Sequence, residues 1–276
     1  MTDNIVYREL TDFNEYYHLE DIQVDSWGFP EREIVPKRIP YATYKSGGVV
    51  IGAFKDEQMI GYVWGWLGRN QEGTYIYSHH NAVRKEYQNK GIGFQLKIEQ
   101  KKWAINNKFD LIKWVFDPLQ TKNCHLNIHK LGGTSNTYKN NYWLELKDKL
   151  NEGIETDRLV CNWFLKSNHV NNHLNKQFKD YKSIIFGSDK QVLKTKMKDT
   201  FLDIEELNLE HDEPIIALEV PSNYIKMKKN DKKLAIDWRM KTRKAFQNYF
   251  EQGYAIIDFV LEKQENSIKC FHILKR

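Results

Sequence analysis

Apolar and polar positions alternate along some stretches of the chain and recur at helical spacing along others, and these two periods outline its elements. Residues 5–9 read as a short strand. Thr11-Asp12 followed by Glu15 has capping-box spacing for a helix running toward Trp27, where Gly28-Phe29-Pro30 stops it. A second, shorter helical stretch covers residues 36–45. Gly47-Gly48 then opens VVIGAFK, and Asp56-Glu57-Gln58 turns the chain into MIGYVWGWL, a β-hairpin by composition and spacing. A third strand spans 74–83. Helical periodicity through Ile92, Leu96, Ile98 and Trp103 follows over 91–107, and 111–116 is apolar enough for a buried strand. Pro118 suits the first turn of a helix that continues to Leu131 and ends at Gly132-Gly133. Strands at 134–138 and 159–165 would complete a mixed sheet.

The order up to Lys166 is β-α-α-β-β-β-α-β-α-β-β, neither a regular βα alternation nor an all-β meander. It predicts an α/β (α+β) fold with an antiparallel front. Beyond Ser167, candidate strands at 183–186 and 200–204 precede a clearer unit: a strand over 214–220, a helix over 231–252 stopped by Gly253, and a closing hairpin from 254–261 and 267–274. The expected organisation is a first domain over 1–166 and a C-terminal α+β region over 167–276. Because the last β-α-β-β order repeats that of 111–165, a degenerate half-copy of the first fold is one account of that region.

Composition narrows the class. Hydrophobic residues at 41% and aromatics at 13% supply a core despite 29% charge, which excludes wholesale disorder and collagen-like architecture. No apolar run approaches the length of a membrane span, and MTDNIVYREL lacks the basic-then-apolar pattern of a signal peptide. A soluble, cytoplasmic protein with no membrane partner is expected. The net charge of +5 comes from mixed signs and does not by itself demand nucleic acid. The densest basic run, KMKKNDKK from Lys226 to Lys233, reads as a solvated linker before a helix, with an anionic-ligand contact as the alternative. Cys124, Cys161 and Cys270 show no CxxC or CxH spacing, so neither a disulfide framework nor a zinc site is suggested and reduced, buried thiols are expected.

The chemistry concentrates in Val83-Arg84-Lys85-Glu86-Tyr87-Gln88-Asn89-Lys90-Gly91-Ile92-Gly93-Phe94, which ends a strand and begins a helix. Consecutive backbone N–H groups in such a turn, at a helix N-terminus, form a site for a pyrophosphate. Gly91 and Gly93 leave room for close approach of the ligand, and Lys90 adds a positive charge. A dinucleotide-binding fingerprint would need the first strand of a βαβ unit, a third glycine and a later acidic residue, whereas this loop follows a hairpin. A Walker loop is excluded by the absence of GK[ST].

Here the sequence resembles the GNAT superfamily of acyl-CoA-dependent N-acyltransferases, whose signature Q/R-x-x-G-x-G/A is matched by Gln88-Asn89-Lys90-Gly91-Ile92-Gly93. FQLKIEQ, IKWVFDPLQTKNCHLNIHKLGG, the NNYW segment and TDRLVCNWFL are similar to a subgroup catalogued only as predicted acetyltransferases, and DWRMKTRKAF and GYAIIDF extend the likeness over nearly the whole chain. The resemblance implies a GNAT fold and an acyl-CoA donor, by default acetyl-CoA. Some members of related families are associated with N-succinylation of amino acids, which makes succinyl-CoA a candidate. It further implies that the amides of Gln88, Asn89, Lys90, Gly91, Ile92, Gly93 and Phe94 hold the CoA pyrophosphate. Asn81, Ala82 and Val83 would pair with pantetheine, the Asn81 N–H would polarise the thioester carbonyl, and Asn123 would add a cofactor contact unless it merely caps or solvates its helix.

Transfer to an amine also needs a proton acceptor. His79 lies two residues before Asn81, so regular alternation puts it on the same face, with His80 facing the other way. His79 is the candidate general base, the alternative being a structural histidine. One departure from the family stands out. The tyrosine that protonates the leaving thiolate in many members falls at Ile128 here, and His125, Asn127, Tyr138, Tyr142 or water would have to substitute. Trp27-Gly28-Phe29, Trp64 and Trp66 could wall an acceptor pocket, although aromatic packing is the ordinary role of such residues. Arg158 and Arg239 could meet a carboxylate or simply form ion pairs. The expectation is direct transfer to a small-molecule amine such as an amino acid, with no metal, no covalent enzyme intermediate and no nucleic-acid partner. A homodimer is left open. The rivals are a catalytically degenerate CoA-binding sensor or scaffold and, more remotely, a nucleic-acid or ribosome-associated module.

Overall fold

The computed structural model describes residues 4–144, 153–186, 190–264 and 267–276. The chain divides into two compact units, residues 1–114 with 164–166, and residues 115–163 with 167–276.

In the first unit the strands β1 (Ile5–Glu9), β2 (Val49–Lys55), β3 (Gln58–Asn70), β4 (Gly73–Val83) and β5 (Leu111–Phe116, which enters the second unit after Trp114) lie side by side in that order. The first four pair antiparallel, and β4 pairs with β5 parallel. This is the mixed, mainly antiparallel α+β arrangement that the element order implies. The expected capping box is present: Asp12 accepts from the Asn14 amide, and Glu15 reaches back to it. A 3₁₀ turn leads into α1 (Tyr17–Trp27), which Gly28 ends in the left-handed conformation at φ 69°. The second helix, α2 (Arg38–Lys45), precedes β2. Asp56 and Glu57 both have positive φ, which matches the twist of a tight hairpin between β2 and β3. Leu10, Tyr16, Leu19, Ile22, Val50, Tyr62 and Trp64 form a core with α1.

The helix α3 (Ile92–Asn106) follows β4, and its inward face only partly follows the periodicity, since Ile92 and Leu96 are buried as it predicts but polar residues join them. Lys97 and Gln100 are buried, while Ile98 and Trp103 are only half-buried. The inward lysine is satisfied by Ser78 Oγ at 2.9 Å and Gln100 Oε1 at 2.8 Å, and its ammonium sits 3.8 Å from the centre of the Trp114 ring.

The second unit begins with a turn rather than the expected helix at Pro118. The Asp117 side chain accepts from the Leu119 amide, and its carbonyl accepts from Gln120. Helix α4 (Thr121–Cys124) starts only then and passes into a π-helical turn, His125–Lys130, ended by Gly132 at φ 70°. Thr134 and Ser135 pair only through isolated bridges, and the short β6 (Tyr138–Lys139) then pairs antiparallel with β7 (Arg158–Phe164). Next come α5 (Asn168–Leu174) and α6 (Lys182–Ile185). The latter overturns the strand expected at 183–186, since a short apolar run such as SII serves either structure. The strands β8 (Leu193–Lys198) and β9 (Phe201–Leu207) make a ribbon. A separate antiparallel sheet has the order β10-β12-β11, formed by β10 (Ile215–Val220), β11 (Ala255–Lys263) and β12 (Ile268–Lys275). Between β10 and β11 lie α7 (Tyr224–Asn230) and α8 (Lys232–Glu251), the latter capped by Asp231. The basic run 226–233 is thus helical rather than a linker, and Lys228 is buried near Tyr224. Cys124, Cys161 and Cys270 are all buried, with no disulfide among them. No helix among the described residues is long and apolar enough to cross a membrane.

Candidate active site

Parallel pairing between β4 and β5 is confined to Ile76–Ile112 and Tyr77–Lys113. The Arg84 amide bonds to Ile60 O at 2.8 Å, and this fixes the phase of β4. In an antiparallel ladder alternate residues face the partner strand, so Ala82 and His80 turn their amides to β3 while Asn81 and Val83 turn theirs to the opposite edge. Of the three residues expected to meet pantetheine, Ala82 therefore contributes a buried methyl to the core rather than an amide to that edge. The Val83 carbonyl already accepts from Ser26 Oγ at 2.7 Å and Gln88 Nε2 at 3.0 Å. The Asn81 side chain reaches the start of α3, donating from Nδ2 to Gly93 O at 3.0 Å, and its Oδ1 is buried without a partner.

The loop that follows is tied down from α1. Asp25 Oδ2 accepts from the Lys85 amide at 2.7 Å, and the Arg84 guanidinium donates to Met59 O. Gln88, Asn89 and Lys90 are exposed, and Asn89 has φ 62°. Gly91 precedes the first residue of α3 at φ 84°, with no side-chain cap on the helix. The first amides of α3 lack intrahelical acceptors by the geometry of any helix, so they remain as donors at this end. Ile92 is buried and anchors the turn, while Phe94 is half-buried. The two motif glycines serve different purposes. A β-carbon on Gly91 would meet no protein atom, and glycine is needed there for its backbone conformation. A β-carbon on Gly93 would sit 3.7–3.8 Å from Asn81 and Val83, an ordinary contact, which accounts physically for a motif that admits alanine at that position.

His79 does not share the face of Asn81. The register between β3 and β4 shifts so that His80 pairs with Trp64 and Ser78 with Gly65, leaving His79 as the extra residue of a β-bulge. Both histidine rings consequently lie on one face, stacked 4.3 Å apart. His79 also packs against Trp64 at 5.0 Å and Trp66 at 4.9 Å, and His80 against Trp27 at 4.7 Å. Tyr62 Oη lies 2.9 Å from His80 Nδ1. Burial pushes His79 down to about 4, and burial with the neighbouring His79 pushes His80 down to about 3. On the same side of the sheet a depression of about 370 Å³ is lined by Ile39, Thr43, Ser46, Gly48, Trp66 and Leu67. Trp66 lines this depression, whereas Trp64 is a core residue.

In the second unit, Asn123 is an exposed residue of α4 and Ile128 is fully buried. Arg239 makes an ordinary, if buried, ion pair: Nη2 meets both oxygens of Asp117, at 2.9 and 2.8 Å. Sequence reasoning missed the buried Lys97–Ser78–Gln100 group, for which a polar position in a helix carries no signal. It also missed the bulge, for which Gly65, one of three glycines in β3, is only a weak sign.

Residues 13–132 match the model of the acetyltransferase (GNAT) family. No curated protein matches the chain. Among solved structures, it is similar to a GNAT family acetyltransferase from Elizabethkingia anophelis with acetyl-CoA bound, at 19% identity over 59% of this chain and 99% of that one, with a TM-score of 0.45. The ribosomal-protein-S18-alanine N-acetyltransferase from Escherichia coli matches at 13% identity over 59% and 95%, TM-score 0.46. A GNAT family acetyltransferase from Streptococcus pneumoniae matches at 14% identity over 58% and 98%, TM-score 0.47.

Proposed function

We propose, from the premise that residues 13–132 are a GNAT acetyltransferase domain, that this protein transfers an acyl group from acyl-CoA directly to the primary amine of a small molecule such as an amino acid. Acetyl-CoA is the default donor and succinyl-CoA the sharper alternative. The observation that carries the reading is the uncapped start of α3 joined, through the Asn81–Gly93 hydrogen bond, to a strand edge where the Asn81 amide is turned away from β3. A loop of outward amides with Lys90 beside it suits a pyrophosphate, and a fixed N–H on the neighbouring strand suits the oxygen of a thioester under attack.

In this reading the acceptor amine attacks the thioester carbon, the Asn81 N–H donates to the oxygen as charge develops there, and the thiolate leaves. His79, held near a pKa of 4 by burial, is unprotonated at neutral pH and takes a proton rather than giving one. So weak a base does not efficiently strip a free ammonium. The acceptor then reacts through its neutral fraction, and His79 receives the more acidic proton of the attacking nitrogen. We expect kcat/KM to rise with pH through the acceptor's own pKa, with no inflection near 6.5. His79→Ala should lower kcat by roughly 10²-fold, the low end for general-base catalysis, with the Kd for CoA nearly unchanged. An unaltered rate would remove His79 from the chemistry.

A catalytically silent CoA sensor is favoured by one feature, the buried Ile128 where many family members carry a tyrosine acid. Thiol release from acetyl-CoA and succinyl-CoA, measured against amino acids, amines and peptides with no-acceptor controls, separates the readings. Acceptor-dependent release supports the transferase, CoA binding without release supports the sensor, and absence of CoA binding overturns both.

A further inference from the structure

Two helices of the second unit each carry a pair of histidines four residues apart, His125 and His129 on the π-helical turn and His169 and His173 on α5. In a π-turn, residues four apart lie almost above one another. The turn is marked by the bond from Leu131 N to Leu126 O at 3.0 Å, and the rings of His125 and His129 stack 4.9 Å apart. Gly132 lets α5 approach this turn closely, since a β-carbon there would fall 3.0 Å from His173 Cβ and from Val170 Cα. The His169 and His173 rings are 4.4 Å apart, and those of His129 and His173 are 6.0 Å apart. Asp258, on β11, closes the group: its Oδ1 lies 2.9 Å from His129 Nδ1, and its side chain is 2% exposed. One ligating atom from each of His129, His173 and Asp258 lies within 4.8 Å of the others.

We propose that this cluster binds one divalent transition-metal ion of the zinc class, held by His129, His173 and Asp258 with a further nitrogen from His125 or His169, as a structural clip. Bond lengths of about 2.0–2.1 Å in a tetrahedral site set ligands some 3.4 Å apart, so closure from the observed spacing needs only side-chain adjustment. The polar accounting supports an occupant. Nδ1 of His125 and Nε2 of His169 are buried with no hydrogen-bond partner, and orphan ring nitrogens are costly unless something meets them. His173 Nδ1 bonds to the His129 carbonyl at 2.5 Å, which leaves Nε2 as the lone-pair nitrogen, the arrangement that orients a ligating imidazole. The Phe178 ring stacks 4.0 Å from His129 and shields it. Three imidazoles and one carboxylate select zinc, nickel, copper or cobalt over calcium and magnesium, which take oxygen ligands. The ligands come from three segments distant in sequence, so an ion would tie α5, the π-turn and β11 together independently of acyl transfer.

The test uses the full chain, stripped with chelator and then titrated with Zn²⁺ or with Co²⁺ as a visible-absorption probe. We expect about one equivalent bound, intense ligand-field bands from Co²⁺ that Zn²⁺ abolishes, a raised Tm with Zn²⁺, and no effect from Ca²⁺ or Mg²⁺. His173→Gln and Asp258→Asn should each weaken binding at least about tenfold. His125→Gln and His169→Gln, at half-buried positions, provide variants that keep the fold if the first two do not, and at least one of them should weaken binding. Failure to retain an equivalent of either ion, or retention unchanged by all variants that fold, would overturn the site.

Discussion

Gly91 is where backbone conformation and ligand chemistry can be separated by substitution. At φ 84° and ψ −4°, a β-carbon costs about 1–2 kcal/mol in backbone strain, partly offset by the lower entropy of the unfolded chain. Nothing in the protein would clash with it. Gly91→Gln and Gly91→Glu should therefore lose a similar stability, about 1 kcal/mol, read as equal shifts of the urea midpoint with unchanged slope. Their affinities for CoA should differ. A carboxylate about 6 Å from two pyrophosphate charges, at the effective dielectric of a wet surface, adds on the order of 2 kcal/mol of repulsion, roughly a 30-fold difference in Kd. Calorimetric titration with CoA at low salt measures this, and the gap should narrow as salt rises. Gly93→Ala is the control: its β-carbon has ordinary contacts and a helical backbone, so stability should hold or rise by up to about 1 kcal/mol. If the Glu and Gln variants of Gly91 bind CoA equally well at low salt, the pyrophosphate is not at this helix start and the site assignment fails.

Two further predictions concern stability. His79 and His80 are neutral when folded, with values depressed to about 4 and about 3, so the unfolded chain binds more protons as pH falls below about 6.5. Stability present at pH 7 should be lost progressively between 6.5 and 4, on the order of 3 kcal/mol from His79 alone, and His79→Asn should flatten that slope in denaturant melts across pH. Arg239→Ala would strand the Asp117 carboxylate, whose partner guanidinium is 3% exposed, and should cost about 3–5 kcal/mol in chemical denaturation. A loss below about 1 kcal/mol would show that water replaces the arginine.

Much of the first unit is legible from periodicity because its strands bury one set of side chains and its turns use residues chosen for their backbone. Capping at Asp12, the stop at Gly28, the hairpin at Asp56-Glu57 and the loop at Gly91 all lie where the residues indicate. What periodicity cannot carry is a change of phase. One extra residue in β4 moves His79 from the face of Asn81 to that of Trp64 and His80, and no property of HHNA announces it. The sign is on the facing strand, where a β-carbon on Gly65 would fall 2.7 Å from Tyr77 O. The consequence is chemical as well as geometric. The candidate base projects from the aromatic face of the strand, while the candidate oxyanion donor, the Asn81 N–H, lies in the sheet plane at its edge, a disposition that under the proposed function would suit a thioester carbonyl at that edge with its amine arriving from the aromatic side.

The second unit shows a different limit. Short apolar runs such as SIIF do not distinguish strand from helix, and a basic run reads as solvent-facing until Tyr224 and Lys228 are seen to be buried beside one another. The histidine pairs mark the far end of this scale. Each four-residue spacing is visible in HLNIH and HVNNH, but spacing within a helix establishes only two donors on one side of it. A third donor at Asp258 and the approach allowed by Gly132 are tertiary facts. Ion binding at this cluster therefore depends on the fold being formed, and it should report the fold's integrity: a variant such as Gly132→Ala, whose β-carbon would press on His173 Cβ and Val170 Cα and push α5 from the π-turn, should weaken Zn²⁺ retention while every histidine remains in place.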